Sequence, residues 1–207
     1  MIAILDYGMG NLRSVFRACE RLGLRAEIAA DPARAAAART LILPGVGAFG
    51  EGMANLRQAG FDSLLRQAAA ENRPLLGICL GLQLLFSWSE EHGRHEGLGI
   101  LPGGVVRFPK GLTVPHMGWN QVAPTEPPSP LFDSIPAGSH FYFAHSYYVA
   151  PDDPAVVAAT TEYGQPFASV VARGRVFGVQ FHPEKSAAVG ERLLTNFARL
   201  AGEPRNE

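Results

Sequence analysis

Cysteine is scarce in this chain of 207 residues. It has two, Cys19 and Cys79, too few for a disulfide framework, and neither stands in the close pairing that holds a metal. Lysine is almost missing, with Lys110 and Lys185 against a background of arginine. A chain that uses arginine nearly everywhere but keeps Lys185 beside a candidate site points to a place where a guanidinium would not fit. Excess charge of either sign is absent: the net charge of −1 gives no electrostatic case for nucleic acid or an anionic membrane as partner. Long apolar runs are absent too, and the N-terminus enters Ile2-Ala3-Ile4-Leu5 with neither a basic region nor a cleavage site, so a cytoplasmic protein is expected. There is no repeat and no low-complexity tract. What remains is ordinary globular composition, 47% hydrophobic and 18% charged, which predicts one domain over residues 1–207.

The first half reads as alternating strand and helix. Ile2 to Leu5 is a buried strand, and Leu12 to Leu22 an amphipathic helix in which Val15, Phe16, Cys19 and Leu22 share a face. That places Cys19 in the core. Arg25 to Ala30 is a second strand, and Asp31-Pro32 caps an alanine-rich helix to about Arg39. Thr40 to Leu43 is a third strand, followed by helical segments from Met53 to Ala70. Four such strands imply a parallel sheet covered on both faces, whose carboxyl-end loops, Gly8 to Asn11, Pro44 to Gly52 and the one at Cys79, should gather at one edge. From Gly104 onward short strand-like runs and turns predict antiparallel hairpins that extend the sheet. The fold class expected is therefore α/β, a flavodoxin-like three-layer sandwich. Prolines 124, 127, 128, 130 and 136 mark residues 123–137 as a surface loop. Gly190 to Leu200 reads as a closing helix with Leu193, Leu194 and Phe197 inward, and residues 203–207 as a frayed end.

Chemistry concentrates at Gly77-Ile78-Cys79-Leu80-Gly81. Leu75 to Ile78 is a buried strand, and Leu80 to Trp88 has helical apolar spacing. Cys79 falls at the corner. The G-x-C-x-G pattern is the thiol counterpart of a nucleophile elbow, in which a strained turn lifts the reactive side chain above the sheet. Glycines flank it because a Cβ would collide where strand and helix approach. A helix N-terminus also presents the positive end of its macrodipole to the sulfur. The plain alternative is an inert buried cysteine, since free Cys behaves as a small hydrophobe.

A second informative stretch is Val176 to Lys185, a buried strand running into His182-Pro183-Glu184. His182 can take a proton from a thiol and Glu184 can hold the other ring nitrogen. His-x-Glu is also a possible metal pair, but no third ligand is in view. Gly45-Val46-Gly47-Ala48-Phe49-Gly50 fits the dinucleotide fingerprint literally, yet it follows the third strand and lacks the acid about twenty residues on. The better reading is an oxyanion loop in which the amides of Val46 and Leu80 point at a tetrahedral intermediate.

Together with Gln83, Pro44-Gly45-Val46-Gly47 and Gln180-Phe181-His182-Pro183-Glu184, the elbow resembles the class I, triad-type glutamine amidotransferases. Asp6 to Asn11, Pro115 to Asn120, Tyr142 to Tyr147 and Lys185-Ser186 resemble their histidine-biosynthetic branch, and the likeness runs nearly end to end. The resemblance implies that Cys79 attacks the carboxamide of L-glutamine, that His182 protonates the departing ammonia, and that no cofactor is needed. It implies that Gly47, Gln83, Ser146 and Tyr147 hold the substrate. It further implies a heterodimer with a (β/α)8-barrel cyclase subunit, docked at Asn11, Trp119, Tyr142 and Lys185. His116, His140 and His145 are read as structural. Two other readings stay open: an amidotransferase serving another synthase, and a non-catalytic flavodoxin-like binding module.

Overall fold

A computed structural model of the chain describes residues 1–203. Its first half follows the alternation: β1 (Ile2–Leu5), α1 (Leu12–Arg21), β2 (Ala26–Ala29), α2 (Pro32–Ala36), β3 (Thr40–Gly45), α3 (Phe49–Gln58), α4 (Phe61–Ala70), β4 (Leu75–Cys79) and α5 (Leu80–Leu84). Every residue of β1, β3 and β4 is buried, as strands covered on both faces require. Asp31 accepts the Ala33 N–H at 2.9 Å, with Pro32 in the first turn of α2, but the helix stops at Ala36 rather than near Arg39. Gly60, at φ 76°, separates α3 from α4.

The second half holds β5 (Phe86–Ser89), β6 (His95–Glu96), β7 (Leu101–Arg107), β8 (His116–Gln121), β9 (Ala123–Pro124), β10 (His140–His145), β11 (Tyr147–Pro151), β12 (Val157–Glu162), β13 (Pro166–Arg173), β14 (Val176–Val179) and α6 (Ala187–Ala201). The main sheet runs β2-β1-β3-β4-β14-β13-β11-β7-β5-β6, with β12 on β13 and β9 on β12. Its first five strands are parallel, and β13 and β11 continue it antiparallel. One face packs Leu5, Leu43, Phe49, Phe61 and Leu80. The other packs Ile4, Ile42, Ile78, Cys19, Phe181 and Phe197. This is the three-layer α/β sandwich, and Cys19 lies in its core, where burial pushes the thiol up to about 12.

Four local expectations need correction. The helix after Cys79 ends at Leu84, and Phe86–Ser89 is a strand parallel to β7, because Phe86 and Ser89 bury themselves at the sheet edge. Strands β8 and β10 do not extend the main sheet but form a separate two-stranded ribbon. The proline-rich loop docks inward through Leu131, Phe132 and Ile135, all buried, with the Asn196 side-chain amide donating to the carbonyls of Leu131 and Asp133. Glu203 is not frayed: it accepts the Thr40 hydroxyl at 2.6 Å and pairs with the Met1 ammonium. Residues 204–207 of the predicted frayed end lie outside the described residues. Among those described, no helix is long and apolar enough to cross a membrane.

Candidate active site

Strands β3 and β4 run side by side with Gly45 opposite Cys79, so the loop carrying Val46 and Gly47 emerges next to the elbow. Cys79 takes φ 54° and ψ −111°, a positive-φ backbone that costs a non-glycine residue about 1–3 kcal/mol. A Cβ on Gly77 would lie 2.7 Å from the Gly81 carbonyl oxygen, and one on Gly81 would run into the carbonyl of Leu43. The joint is therefore backbone against backbone on both sides of the sulfur. Leu80 and Gly81 open α5, where helix N–H groups have no carbonyl partner inside the helix.

On the other side of β4 lies β14, parallel to it with Val179 opposite Ile78. The chain leaves β14 and brings His182 near Cys79, where the two side chains feel each other's charge. His182 Nδ1 stands 2.9 Å from Glu184 Oε1, with both side chains almost fully buried. Glu184 Oε2 is buried without a hydrogen-bond partner, so the imidazole is the group that answers this carboxylate. Burial works against a charge on His182, but hydrogen bonds and negative charge from Cys79 and Glu184 overcome it and push the imidazole up to about 10. Ser186 ties this turn in place: its hydroxyl donates to the His182 carbonyl at 2.6 Å and accepts the Tyr142 N–H at 3.0 Å, while the His182 N–H donates to the Tyr142 carbonyl at 2.8 Å.

The sulfur opens on a cavity of about 220 Å³. Gly47, Gln83, Ser146 and Tyr147 all line it, as do Val46 and Leu80. Gly47 sits at φ 112°, a conformation that favours glycine. Five lining residues were not expected at the site from sequence: Glu91, the single carboxylate of the lining, Pro115, Met117, Ala144 and His145. Glu91 had no detectable signal, because it follows β5 in a turn and reaches the site only by accepting the Phe49 N–H at 2.7 Å. Gln180 belongs to the His182 motif but has no role that sequence alone reveals, and it donates to Cys79 Sγ at 3.7 Å.

Beside the cavity mouth, Trp119 and Met117 on β8 are the most exposed large apolar side chains, at 53% and 64%. Tyr142 lies opposite Trp119 across the ribbon, with ring centres 6.1 Å apart. Lys185 Nζ stands 5.7 Å from the Tyr142 ring centre, a cation–π distance. Three of the four residues expected at a docking face thus form one patch. Asn11 sits at the N-cap of α1, which packs against the Pro183–Lys185 turn. Its side chain accepts from the Ser14 hydroxyl at 2.8 Å and makes no bond to a helix N–H.

The family model for class I glutamine amidotransferases matches residues 3–200. The chain belongs to that family. The amidotransferase is 57% identical to the imidazole glycerol phosphate synthase subunit HisH of Moorella thermoacetica, over 96% of this chain and 94% of that one. It is 52% identical to the protein of the same name from Syntrophotalea carbinolica, over 97% and 100%, and 50% identical to that of Desulfitobacterium hafniense, over 98% and 96%. Among solved structures it shares its fold with a glutamine amidotransferase at a TM-score of 0.77 and 23% identity, covering 97% of this chain and 98% of that one. A putative GMP synthase protein from Thermoplasma acidophilum matches at 0.73 and 19%, covering 97% and 93%.

In the amidotransferase, His116 and His145 form a buried pair, Nδ1 to Nε2 at 3.1 Å. Burial holds His116 down at about 4. It holds His145 down at about 3, aided by the nearby His116 and His182 and opposed by the bond to the Tyr147 carbonyl. Above pH 6.5 both are neutral in folded and unfolded chains alike. As pH falls below that, the unfolded chain takes up protons that the folded one refuses, so stability drops. His182, raised instead, contributes fully below pH 6.5 and loses its contribution as pH climbs toward 10. We expect His116→Phe, whose ring would stack between Phe143 and Tyr163, to lose less stability between pH 7 and pH 5 than the parent, by up to about 2 kcal/mol. Urea unfolding at the two pH values measures this, and equal losses would refute it.

Proposed function

We propose that the amidotransferase is the glutaminase subunit of imidazole glycerol phosphate synthase. It hydrolyses L-glutamine to glutamate and ammonia, and the ammonia passes to a cyclase subunit with a (β/α)8 barrel. That partner makes imidazole glycerol phosphate and aminoimidazole carboxamide ribonucleotide in histidine biosynthesis, in the cytoplasm. The observation that carries the reading is a strained Cys79 held beside a buried His182–Glu184 pair at the floor of a cavity lined with polar groups.

The chemistry follows from those positions. Cys79 sulfur attacks the carboxamide carbon, and the oxyanion so formed is met by the amides of Leu80 and Val46; one such donor is worth roughly a hundred- to a thousandfold in rate. His182 gives its proton to the leaving nitrogen, the carbon–nitrogen bond breaks, and ammonia departs from a glutamyl thioester. Water then attacks, losing its proton to His182, and glutamate leaves with Cys79 restored. Glu184 holds the imidazole in the tautomer these transfers need. Gly47, Gln83, Ser146 and Tyr147 hold the substrate, and Glu91 supplies a carboxylate suited to its α-ammonium. Asn11, Trp119, Tyr142 and Lys185 form the face for the cyclase, on which a large aromatic and a cation over a ring are natural anchors. One catalytic domain spans residues 1–207.

A chloroketone analogue of glutamine tests the reading. It is expected to label Cys79 and not the buried Cys19, and glutamine in excess is expected to slow the labelling. Labelling elsewhere, or at Cys79 without protection, would count against a glutamine site there.

A further inference from the structure

The residue of interest is Gln180, fully buried between β14 and the His182 turn. Its side-chain amide links Gln83 to the nucleophile: Gln83 Nε2 stands 3.1 Å from Gln180 Oε1, and Gln180 Nε2 stands 3.7 Å from Cys79 Sγ. An amide can be turned over, so the question is what fixes its direction.

The answer begins at the Tyr147 carbonyl, which can only accept. Gln83 reaches it at 3.0 Å, so the Gln83 atom there must be the NH2 group. The second hydrogen of that group points at Gln180, which must therefore present its oxygen. Gln180 is left with its NH2 toward the sulfur. The carbonyl itself is held by a second donor, His145 Nδ1 at 2.7 Å. That leaves His145 Nε2 as an acceptor for His116 Nδ1 at 3.1 Å, and His116 Nε2 as an acceptor for the Asn120 amide at 3.2 Å. Each donor has one acceptor and no two carbonyl oxygens meet, so the network has a single consistent direction.

We propose that Gln180 is a positioning residue for the nucleophile: its N–H is a fixed donor that favours Cys79 sulfur as an acceptor, the form that attacks glutamine. The Ala144 carbonyl, 3.9 Å from the same sulfur, can accept the hydrogen of the thiol form. The change from one form to the other therefore exchanges a bond donated to Ala144 for bonds received from Gln180 and His182. Gln83, with both hydrogens spent inside the protein, offers the cavity its oxygen alone, so it acts toward substrate as an acceptor. The inference rests on the function proposed above and adds to it a group outside the triad.

The titratable groups around the sulfur are His182 with Glu184 behind it, Tyr7, whose hydroxyl feels the Cys79 charge, and His145, which stays neutral. None of them is changed by Gln180→Met, a substitution that keeps bulk and removes the donor. The test is the pH dependence of iodoacetamide alkylation of the full chain without glutamine, read at Cys79 by peptide mass mapping. We expect the alkylation midpoint of Gln180→Met to move up by about one to two pH units, the size of a hydrogen bond to a charged group. Asn120→Ala, which disturbs the far end of the same network and leaves the Gln83–Gln180 link in place, should leave the midpoint within about 0.3 unit. Gln180→Leu serves as a second variant should the methionine chain fold poorly, with the same shift expected. A Gln180→Met or Gln180→Leu profile that superimposes on the parent's, or an Asn120→Ala shift of the same size, overturns the proposal. Either result would leave the glutaminase reading intact, since that reading falls only if glutamine fails to protect Cys79.

Discussion

Replacing Cys79 with alanine should cut glutamine hydrolysis by about ten-thousandfold or more, down to the background of the assay. No other described side chain presents a nucleophile at that corner, and His182 has nothing to activate once the sulfur is gone. Loss of the nucleophile in a coupled constellation costs nearly as much as loss of the whole set. The variant should still fold, because alanine is smaller than cysteine and the glycines that shape the elbow are untouched. It should also still bind the proposed cyclase partner, since the exposed Trp119 patch lies on the ribbon rather than on β4. Trp119→Ala is expected to do the reverse, weakening the complex by about thirtyfold, as loss of an aromatic anchor commonly does. Glutamate release and a pull-down of the cyclase read the two effects separately. Residual turnover in Cys79→Ala above about a thousandth of the parent rate would mean that another group attacks glutamine.

Gly81→Ala should be as damaging, through the fold. The added methyl would meet the Leu43 carbonyl oxygen, a backbone atom inside a fully buried strand, and neither side can yield without parting β3 from α5. Overpacking of this kind costs about 3 kcal/mol or more, a large part of the stability of a domain this size. Gly52→Ala is the fitting contrast. Its methyl would meet only the ends of the Leu80 and Leu84 side chains, 3.2 to 3.5 Å away, inside a helix that gains about 1 kcal/mol from alanine. Thermal unfolding of the two variants should differ by about 8–16 °C for the same added carbon, and similar melting temperatures would show that the elbow is less tightly built than it looks.

That the elbow was legible from sequence has a physical reason. Gly81 is demanded from outside by the Leu43 carbonyl, but Gly77 and Cys79 answer a geometry local to five residues, so the spacing carries the shape. The same holds for His182 and Glu184, which follow a fully buried strand and meet across one proline. Legibility ended where structure depends on distant partners. Phe86 to Ser89 has the apolar content of a helix turn, and only the edge of β7 makes it a strand. The strand-like sequence from His140 to Tyr148 breaks at Ser146 into β10 and β11, and β10 pairs with β8 rather than with the main sheet. Both strands alternate buried and exposed residues in either arrangement, so periodicity could not choose. Gln180 reads as an ordinary strand residue until Gln83, some hundred positions earlier, is seen against it. Glu203 could not be recognised as buried without Thr40 and the Met1 ammonium beside it.

The hydroxyl of Ser186 ties the turn of His182 to the ribbon. Cys79 sits in the middle of the main sheet, whereas the backbone of His182, just past β14, bonds to Tyr142 directly and again through Ser186. A push on the outer surface of Tyr142 or Trp119 would thus be felt at both groups, at His182 through its backbone and at the sulfur through the Ala144 carbonyl of the same strand as Tyr142.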